Sequence, residues 1–339
     1  MSLLPYLEQL LAREDLPAEA AREAMQVILG GQASHAQIAA FLVALRMKGE
    51  TADELAGFAR TMREMATPVD AGLGGATLLD TCGTGGDRSG TFNISTVAAF
   101  VVAGAGVHVA KHGNRSITSA CGSADLLEGL GIRITLAPEE AARAIREVGI
   151  GFLFAPAIHT AMKHAQPVRT ELKTRTVFNL LGPLTNPAGA SAQLVGAPSV
   201  RAAELMAGAL VSLKLQRGFV VHGSDGLDEI TTTGSTTAFE IRGGKFERRE
   251  LEPEDFGVRK ASSEEIRGGD RARNLEIARA VLAGQRGAAR DIVVVNAAAA
   301  LVAAARVQTF LEGAAVAAVS IDSGAACKKA AELAAFTAG

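Results

Sequence analysis

At 339 residues the chain is larger than a single core comfortably grows, so one large domain, or a large and a small one, is expected. Apolar residues at 48% and charged ones at 21% are ordinary globular usage, while 37 glycines are more than a plain helical bundle tolerates. With 34 basic against 36 acidic residues, a net charge of −2 excludes general attraction to nucleic acid or an anionic membrane surface, so no partner of either kind is expected.

The first segment, "MSLLPYLEQLLARED", lacks a basic leader and repeats apolar residues at helical spacing with Glu8 among them, as an amphipathic helix does and a signal peptide does not. In "SHAQIAAFLVALRMKGE", Ser34 and Gln37 form a capping box, Ile38, Phe41, Leu42 and Leu45 share a face, and Gly49 stops the helix. "TADELAGFARTMREMATP" repeats the scheme with Thr51, Glu54 and Pro68. About four short helices are predicted, two of them before Gly30 and Gly31, and "VDAGLGG" (69–75) marks a boundary.

From residue 76 apolar runs alternate with helical spacing. "ATLLD", "VHVAK", "IRITL", "IGFLFA", "AQLVGA" and "GFVVHG" are predicted strands, and 95–104, 138–148 and 199–213 predicted helices, so the class is α/β with a mainly parallel central sheet flanked by helices. A strandless insert at 156–182 is predicted to supply two helices that pack back on the N-terminal bundle. "STTAFEIRGGKFERRELEP" is predicted to be a hairpin turning at Gly243 and Gly244, and the alanine-rich tail from 274 to be helical. The longest apolar runs, 97–106 and 292–307, are too short to span a bilayer, and Asn296 interrupts the second. Cys82, Cys121 and Cys327 make no metal or redox pair, which suits free thiols in a reducing, cytoplasmic compartment.

Four polar clusters fall at strand ends, where open parallel sheets bind ligands. "LLDTCGTGGDRSGTFNIST" (78–96) offers Gly83, Gly85 and Gly86 for close approach of backbone amides, then Asn93, Ser95 and Thr96 at a helix start, where free N–H groups favour an anion; alone, the same stretch suits a mobile turn and an N-cap. "AKHGNRSITSACGSAD" (110–125) sets Lys111, His112 and Arg115 around Gly113 and Asn114, with Ser119 and Ser123 as donors, as a phosphate grip or a solvated basic turn. His108, within an apolar run, is expected to be a hydrogen-bonded core residue. "SDGLDEITTTG" (224–234) carries Asp228 and Glu229, a carboxylate pair suited to magnesium beside a phosphate; on a regular strand they would face opposite ways, so the backbone must bend or two ions be held. Arg169, in "HAQPVRTELKTRT", can fork onto a carboxylate at the mouth of such a site.

In this order "DTCGTGGD", "NIST", "KHGNRS", "GSAD", "FNLLGPLTNP" and "GLDEI" closely resemble anthranilate phosphoribosyltransferases over nearly the whole chain. The resemblance implies a small helical domain (1–68, with helices from about 156–182 packed onto it), a large α/β domain (69–339), and a homodimer formed through the helical part. It implies transfer of a phosphoribosyl group from 5-phosphoribosyl 1-pyrophosphate to the amine of anthranilate in L-tryptophan biosynthesis, with two magnesium ions per subunit. Gly83, Gly86, Asp87, Thr91, Asn93, Ser95, Thr96, Lys111, Ser119 and Ser123 would bind the sugar donor. Asn114 and Arg169, helped by Gly83, His112, His159 and Pro183, would contact anthranilate, and Ser95, Asp228 and Glu229 would ligate the metal, with no discrete acid or base. The charged segment "SSEEIRGGDRARNLE" (262–276) and the alanine-heavy "SGAACKKAAELAAF" (323–336) depart mildly from the pattern and are expected to stay clear of the motif positions. A pyrimidine nucleoside phosphorylase ranks second, because it needs no paired magnesium carboxylates, and a silent nucleic-acid-binding relative ranks third, against the near-neutral charge.

Overall fold

The structure, a computed structural model, describes residues 2–85, 89–115 and 121–339. Four helices open the chain: α1 (Leu4–Leu11), α2 (Ala18–Leu29), α3 (His35–Lys48) and α4 (Ala52–Glu64). Both capping boxes form as the local sequence demands. Ser34 and Gln37 exchange side-chain and backbone hydrogen bonds at the start of α3, and Thr51 and Glu54 do so at the start of α4. Ile38, Phe41, Leu42 and Leu45 are buried, and the rings of Phe41 and Phe58 meet edge to face at 6.1 Å. Helices α2 and α4 touch backbone to backbone because Gly57 has no side chain; a Cβ there would stand 2.2 Å from the carbonyl oxygen of Ala18.

The rest alternates as β1 (Leu78–Gly83), α5 (Ile94–Gly104), β2 (His108–Gly113), α6 (Ser123–Gly129), α7 (Pro138–Glu147) and β3 (Ile150–Phe154). The insert follows as α8 (Ala155–Ile158), α9 (Gln166–Leu172) and α10 (Phe178–Leu181), and then β4 (Ala192–Gly196), α11 (Val200–Ser212) and β5 (Arg217–Gly223). The hairpin β6 (Thr236–Arg242) and β7 (Lys245–Leu251) precedes α12 (Arg271–Leu282), α13 (Ala288–Ala303), α14 (Phe310–Asp322) and α15 (Ala325–Ala338). One seven-stranded sheet results, in the order β3-β2-β1-β4-β5-β6-β7. The strands from β3 to β5 are parallel, and β6 and β7 are antiparallel additions. The hairpin turns where predicted, with φ of 62° at Gly243 and 77° at Gly244.

Strand order reverses between β1 and β4, because the chain first builds outward through β2 and β3 and then returns to the other side of β1. Beyond the carboxyl ends of two such strands the connecting loops diverge and leave a crevice. One core packs α5 and α13 under the sheet, and the alanine-rich tail belongs to it: from Ile292 to Ala303 every residue of α13 is buried. A second core joins the N-terminal helices and α11 to the opposite face.

Three predicted features differ. "IRITL" is not a strand: Ile132 and Ile134 point into the core, but the N–H of Arg133 is taken by the Thr337 hydroxyl of α15 at 3.1 Å instead of a neighbouring strand. The insert breaks into more pieces than two helices, with 3₁₀ turns at Thr160–His164 and Gly182–Leu184; prolines at 156, 167 and 183 each start a new piece. Its parts do pack on the bundle, the first turn against α2, α9 against α3 and α10 against α4. His108 is half-buried at the first position of β2, not a core residue. No single helix among the described residues is long and apolar enough to cross a membrane.

Candidate active site

At the switch point, β1 ends on Gly83 and β4 on Gly196, and the two are register partners. The loop 224–235 after β5 folds over both. A Cβ at Gly196 would lie 1.5 Å from the Asp228 carbonyl oxygen, and one at Gly83 would lie 2.7 Å from Asp228 Oδ2. Asp228 and Glu229 therefore leave the strand, and the alternation of a regular strand does not apply to them. Asp228 Oδ2 accepts hydrogen bonds from the N–H of Gly85 at 2.7 Å and the Thr84 hydroxyl at 3.3 Å. Glu229 Oε1 accepts from the N–H of Ser95 at 3.1 Å, in the first turn of α5, where helix amides are free. Both carboxylates are buried, and burial together with the neighbouring charge of Asp228 pushes the Glu229 carboxyl up to about 8.

This donor set fits magnesium. Two desolvated carboxylates side by side are relieved by a cation, and their hard oxygens, with the Ser95 hydroxyl beside them, match its preference. Among the described residues no group of three or more His, Cys, Asp or Glu side chains could hold a metal ion, so the pair is a partial ligand set.

Lys111 reaches the same point from β2. It is 3% exposed and donates to the carbonyl of Thr81 at 2.5 Å, and desolvation pulls its ammonium below the ordinary range. Beneath it Asp80 is fully buried and accepts from the N–H of His112 at 3.1 Å and Asn186 Nδ2 at 2.8 Å, while Asn186 also donates to the carbonyl of Ala110 at 2.8 Å. These bonds fix where Lys111 and His112 leave the strand.

His112 Nδ1 lies 3.2 Å from the carbonyl oxygen of Gly182, and its Nε2 3.2 Å from Nε2 of His159. A carbonyl only accepts, so His112 carries its proton on Nδ1 and offers Nε2 as an acceptor to His159, whose ring also meets the backbone of Met62 and Thr185. Burial lowers His112 to about 3 and His159 to about 4, so both rings are neutral at pH 7. Pro183 adjoins them, its carbonyl held by Gln193 Nε2 at 3.0 Å. Arg169, on α9, lies over the Phe178 ring at 5.2 Å and donates to Gln166 at 3.4 Å; burial holds its guanidinium below the ordinary range.

Other expected positions fall less simply. Asn93 Nδ2 donates to the Cys121 carbonyl at 3.0 Å, tying the first loop to the second, and Ser123 donates to the Asn114 carbonyl at 3.1 Å. Thr96 is 1% exposed and lines a small void with Lys111, Phe100 and Phe152. Gly86, Asp87 and Ser119 lie outside the described residues. Arg115 is no phosphate grip in this structure: it is paired with Asp125 at 2.8 Å and Glu128 at 2.7 Å on α6. The segment 262–276 does touch the motifs, because Arg267 forms a bridge with Thr91, the N–H of Gly268 donates to the Gly90 carbonyl at 2.8 Å, and Asn274 Nδ2 donates to Asn93 Oδ1 at 3.3 Å. Unanticipated from the sequence are Asp80, Thr84, Asn186, Gly196 and Asn274. Of these only Gly196, a glycine closing an apolar strand, carried a readable signal.

Residues 75–327 match the α/β domain of a glycosyl transferase family and residues 4–66 its helical bundle domain. The anthranilate phosphoribosyltransferase of Solibacter usitatus is 72% identical over 338 residues, 100% of this chain and 99% of that one. The chain belongs to the anthranilate phosphoribosyltransferase family. The crystal structure of anthranilate phosphoribosyltransferase from Thermus thermophilus superposes with a TM-score of 0.93 at 43% identity, covering 98% of this chain and 99% of that one. Anthranilate phosphoribosyltransferase from Saccharomyces cerevisiae, in complex with PRPP and Mg, gives 0.91 at 29% identity, over 99% of this chain and 98% of that one. As an anthranilate phosphoribosyltransferase family member, the chain is a glycosyl transferase, and its β1–β4 switch point is where an open parallel sheet offers a crevice for ligands.

Proposed function

We propose how this chain performs the family's reaction. The chain transfers the phosphoribosyl group of 5-phosphoribosyl 1-pyrophosphate to the amine of anthranilate, giving N-(5-phosphoribosyl)anthranilate and pyrophosphate, a step of L-tryptophan biosynthesis. The observation that carries the residue-level account is the seating of Asp228 and Glu229 on the amides of Gly85 and Ser95 at the switch point.

Loss of pyrophosphate leaves positive charge on the sugar and negative charge on the leaving group. Lys111 places a buried cation near that anion, and the amides of Gly85 and Ser95 act indirectly, by seating the carboxylates of Asp228 and Glu229. Thr91, Asn93, Thr96 and Ser123 complete the donor side, and Gly83, with no Cβ, admits the Asp228 carboxylate beside them. Asp228, Glu229 and Ser95 would hold magnesium, which supplies neutralisation of the pyrophosphate charge when bound. Two ions per subunit suit the divergence of the two carboxylates toward different elements.

On the acceptor side, Arg169 offers a guanidinium to the anthranilate carboxylate, and Asn114, His112, His159 and Pro183 offer neutral polar and apolar surface to its ring. An arylamine is unprotonated at pH 7 and needs no strong base, which accords with two histidines too acidic to serve as one. Positioning and charge stabilisation, worth several kcal/mol each when preorganised, supply the acceleration. We further infer a domain division at 68/69, reaction in the cytoplasm, consistent with free Cys82, Cys121 and Cys327, and a homodimer through α1 and α3.

The test mixes the protein with anthranilate, phosphoribosyl pyrophosphate and magnesium and follows the loss of anthranilate fluorescence. Asp228→Asn and Glu229→Gln should each raise the magnesium requirement and lower kcat by about 100-fold. Unchanged kinetics in both would remove the pair from the metal site.

A further inference from the structure

From Ile292 to Ala303 helix α13 is a run of buried valine, alanine and leucine with one amide, Asn296, which is fully inaccessible. A primary amide among alkyl groups is costly unless its hydrogen bonds are made, and here they are. Asn296 Oδ1 accepts from the N–H of Ile230 at 2.9 Å, and Nδ2 donates to the carbonyl of Ile230 at 2.8 Å and to that of Ile292 at 2.9 Å. One side chain thus satisfies both backbone groups of Ile230, as a neighbouring strand would.

Ile230 is the residue after Glu229 and is itself 1% exposed. On the other side of the same turn Glu229 meets the N–H of Ser95 on α5, and α5 and α13 pack against each other. Asn296 and Ser95 therefore sit on one rigid frame and grip the Glu229–Ile230 step from two directions. Elsewhere in the loop Asp225 takes the hydroxyls of Thr231 at 2.6 Å and Thr233 at 2.5 Å, which shapes the turn but ties it to nothing outside itself. Asn296 links the turn to α13, as Ser95 links it to α5.

We propose that Asn296 is a positioning residue for the cation-binding carboxylates: its amide clamps the backbone of Ile230 and so sets the direction in which Asp228 and Glu229 present their oxygens. The proposal rests on the assignment of those two carboxylates to the metal. Loss of such an outer partner costs metal sites about 10–100-fold in affinity, since the ligands themselves remain but are no longer aimed.

The experiment uses Mn2+ as the probe, titrated into the full-length protein in the presence of phosphoribosyl pyrophosphate, with free Mn2+ read by electron paramagnetic resonance. Asn296→Ala should weaken Mn2+ binding by about 10-fold or more and raise the Mg2+ concentration for half-maximal rate in step, while the KM for anthranilate stays within about two-fold. Val293→Ala, a truncation of another fully buried residue on α13, should lower the Tm without moving Mn2+ affinity. Unchanged Mn2+ affinity in Asn296→Ala beside weakened affinity in Asp228→Asn overturns the clamp alone. Unchanged affinity in both overturns the metal assignment, and the clamp with it. Should Asn296→Ala not fold, hydrogen exchange of the Ile230 amide in the unaltered protein decides: strong protection supports the clamp, and exchange as fast as an open loop overturns it.

Discussion

At Gly196 an added Cβ would stand 1.5 Å from the carbonyl oxygen of Asp228, and backbone cannot yield as the tip of a side chain can. Gly196→Ala must therefore lift the loop 224–235 off the sheet end. Because displacements near 1 Å cost catalysis about 100-fold, kcat/KM should fall by at least that much while circular dichroism stays native-like; full activity would contradict the packing. The His112–His159 pair makes a different prediction. Both pKa values lie below the unfolded value of 6.5, at about 3 and about 4, so between 6.5 and 4 the unfolded chain takes up protons that the folded one refuses. The stabilisation is present above pH 6.5 and is lost as pH falls, by up to about 1.4 kcal/mol per pH unit for each ring. His159→Gln keeps a donor but does not titrate, so its Tm should decline less steeply from pH 6.5 to 4.5; parallel curves would disprove the role.

Among the elements, α4 is the one whose start does most outside itself. Glu54 closes the capping box on Thr51, accepts from the N–H of Leu16 at 2.9 Å, and pairs with Lys48 at 3.1 Å, both side chains being almost wholly buried. Thr51→Ala should cost about 1 kcal/mol, the ordinary loss of a cap. Glu54→Ala should cost more, about 2–3 kcal/mol in urea unfolding, because it leaves the buried N–H of Leu16 unpaired and takes from Lys48 one of two carboxylates, Asp15 at 2.6 Å remaining. Equal losses would show that the pair adds nothing beyond the cap. The boxes were readable because their partners sit three residues apart. "IRITL" was misread because alternation reports only which side chains face a core, whereas strand identity depends on a neighbouring backbone, and there α15 supplies the partner.

Across the whole molecule, the helical end exposes large apolar side chains: Leu11 is 67% and Met47 71% exposed, with Leu4 and Val43 in the same helices. Such a patch on α1 and α3 suits a second copy. Sedimentation velocity should show a dimer for the unaltered chain and a monomer for the Leu11→Glu, Met47→Glu double variant; an unaltered dimer would move the interface elsewhere.

What the sequence determined by itself was chemistry and local form: helix starts and stops, the parallel class, the hairpin turn, and the glycine, lysine and carboxylate clusters at strand ends. Each of these rests on residues within a few positions of one another, where backbone geometry is already set. The tertiary structure decided which clusters meet. Asp228 reaches the amide of Gly85 across 143 positions, Asn296 holds Ile230 across 66, and Arg115 turns to α6 instead of the phosphate side. The order of strands brings those residues together, and that order follows from how two faces of one sheet are covered, a property of the assembled cores that no local stretch carries.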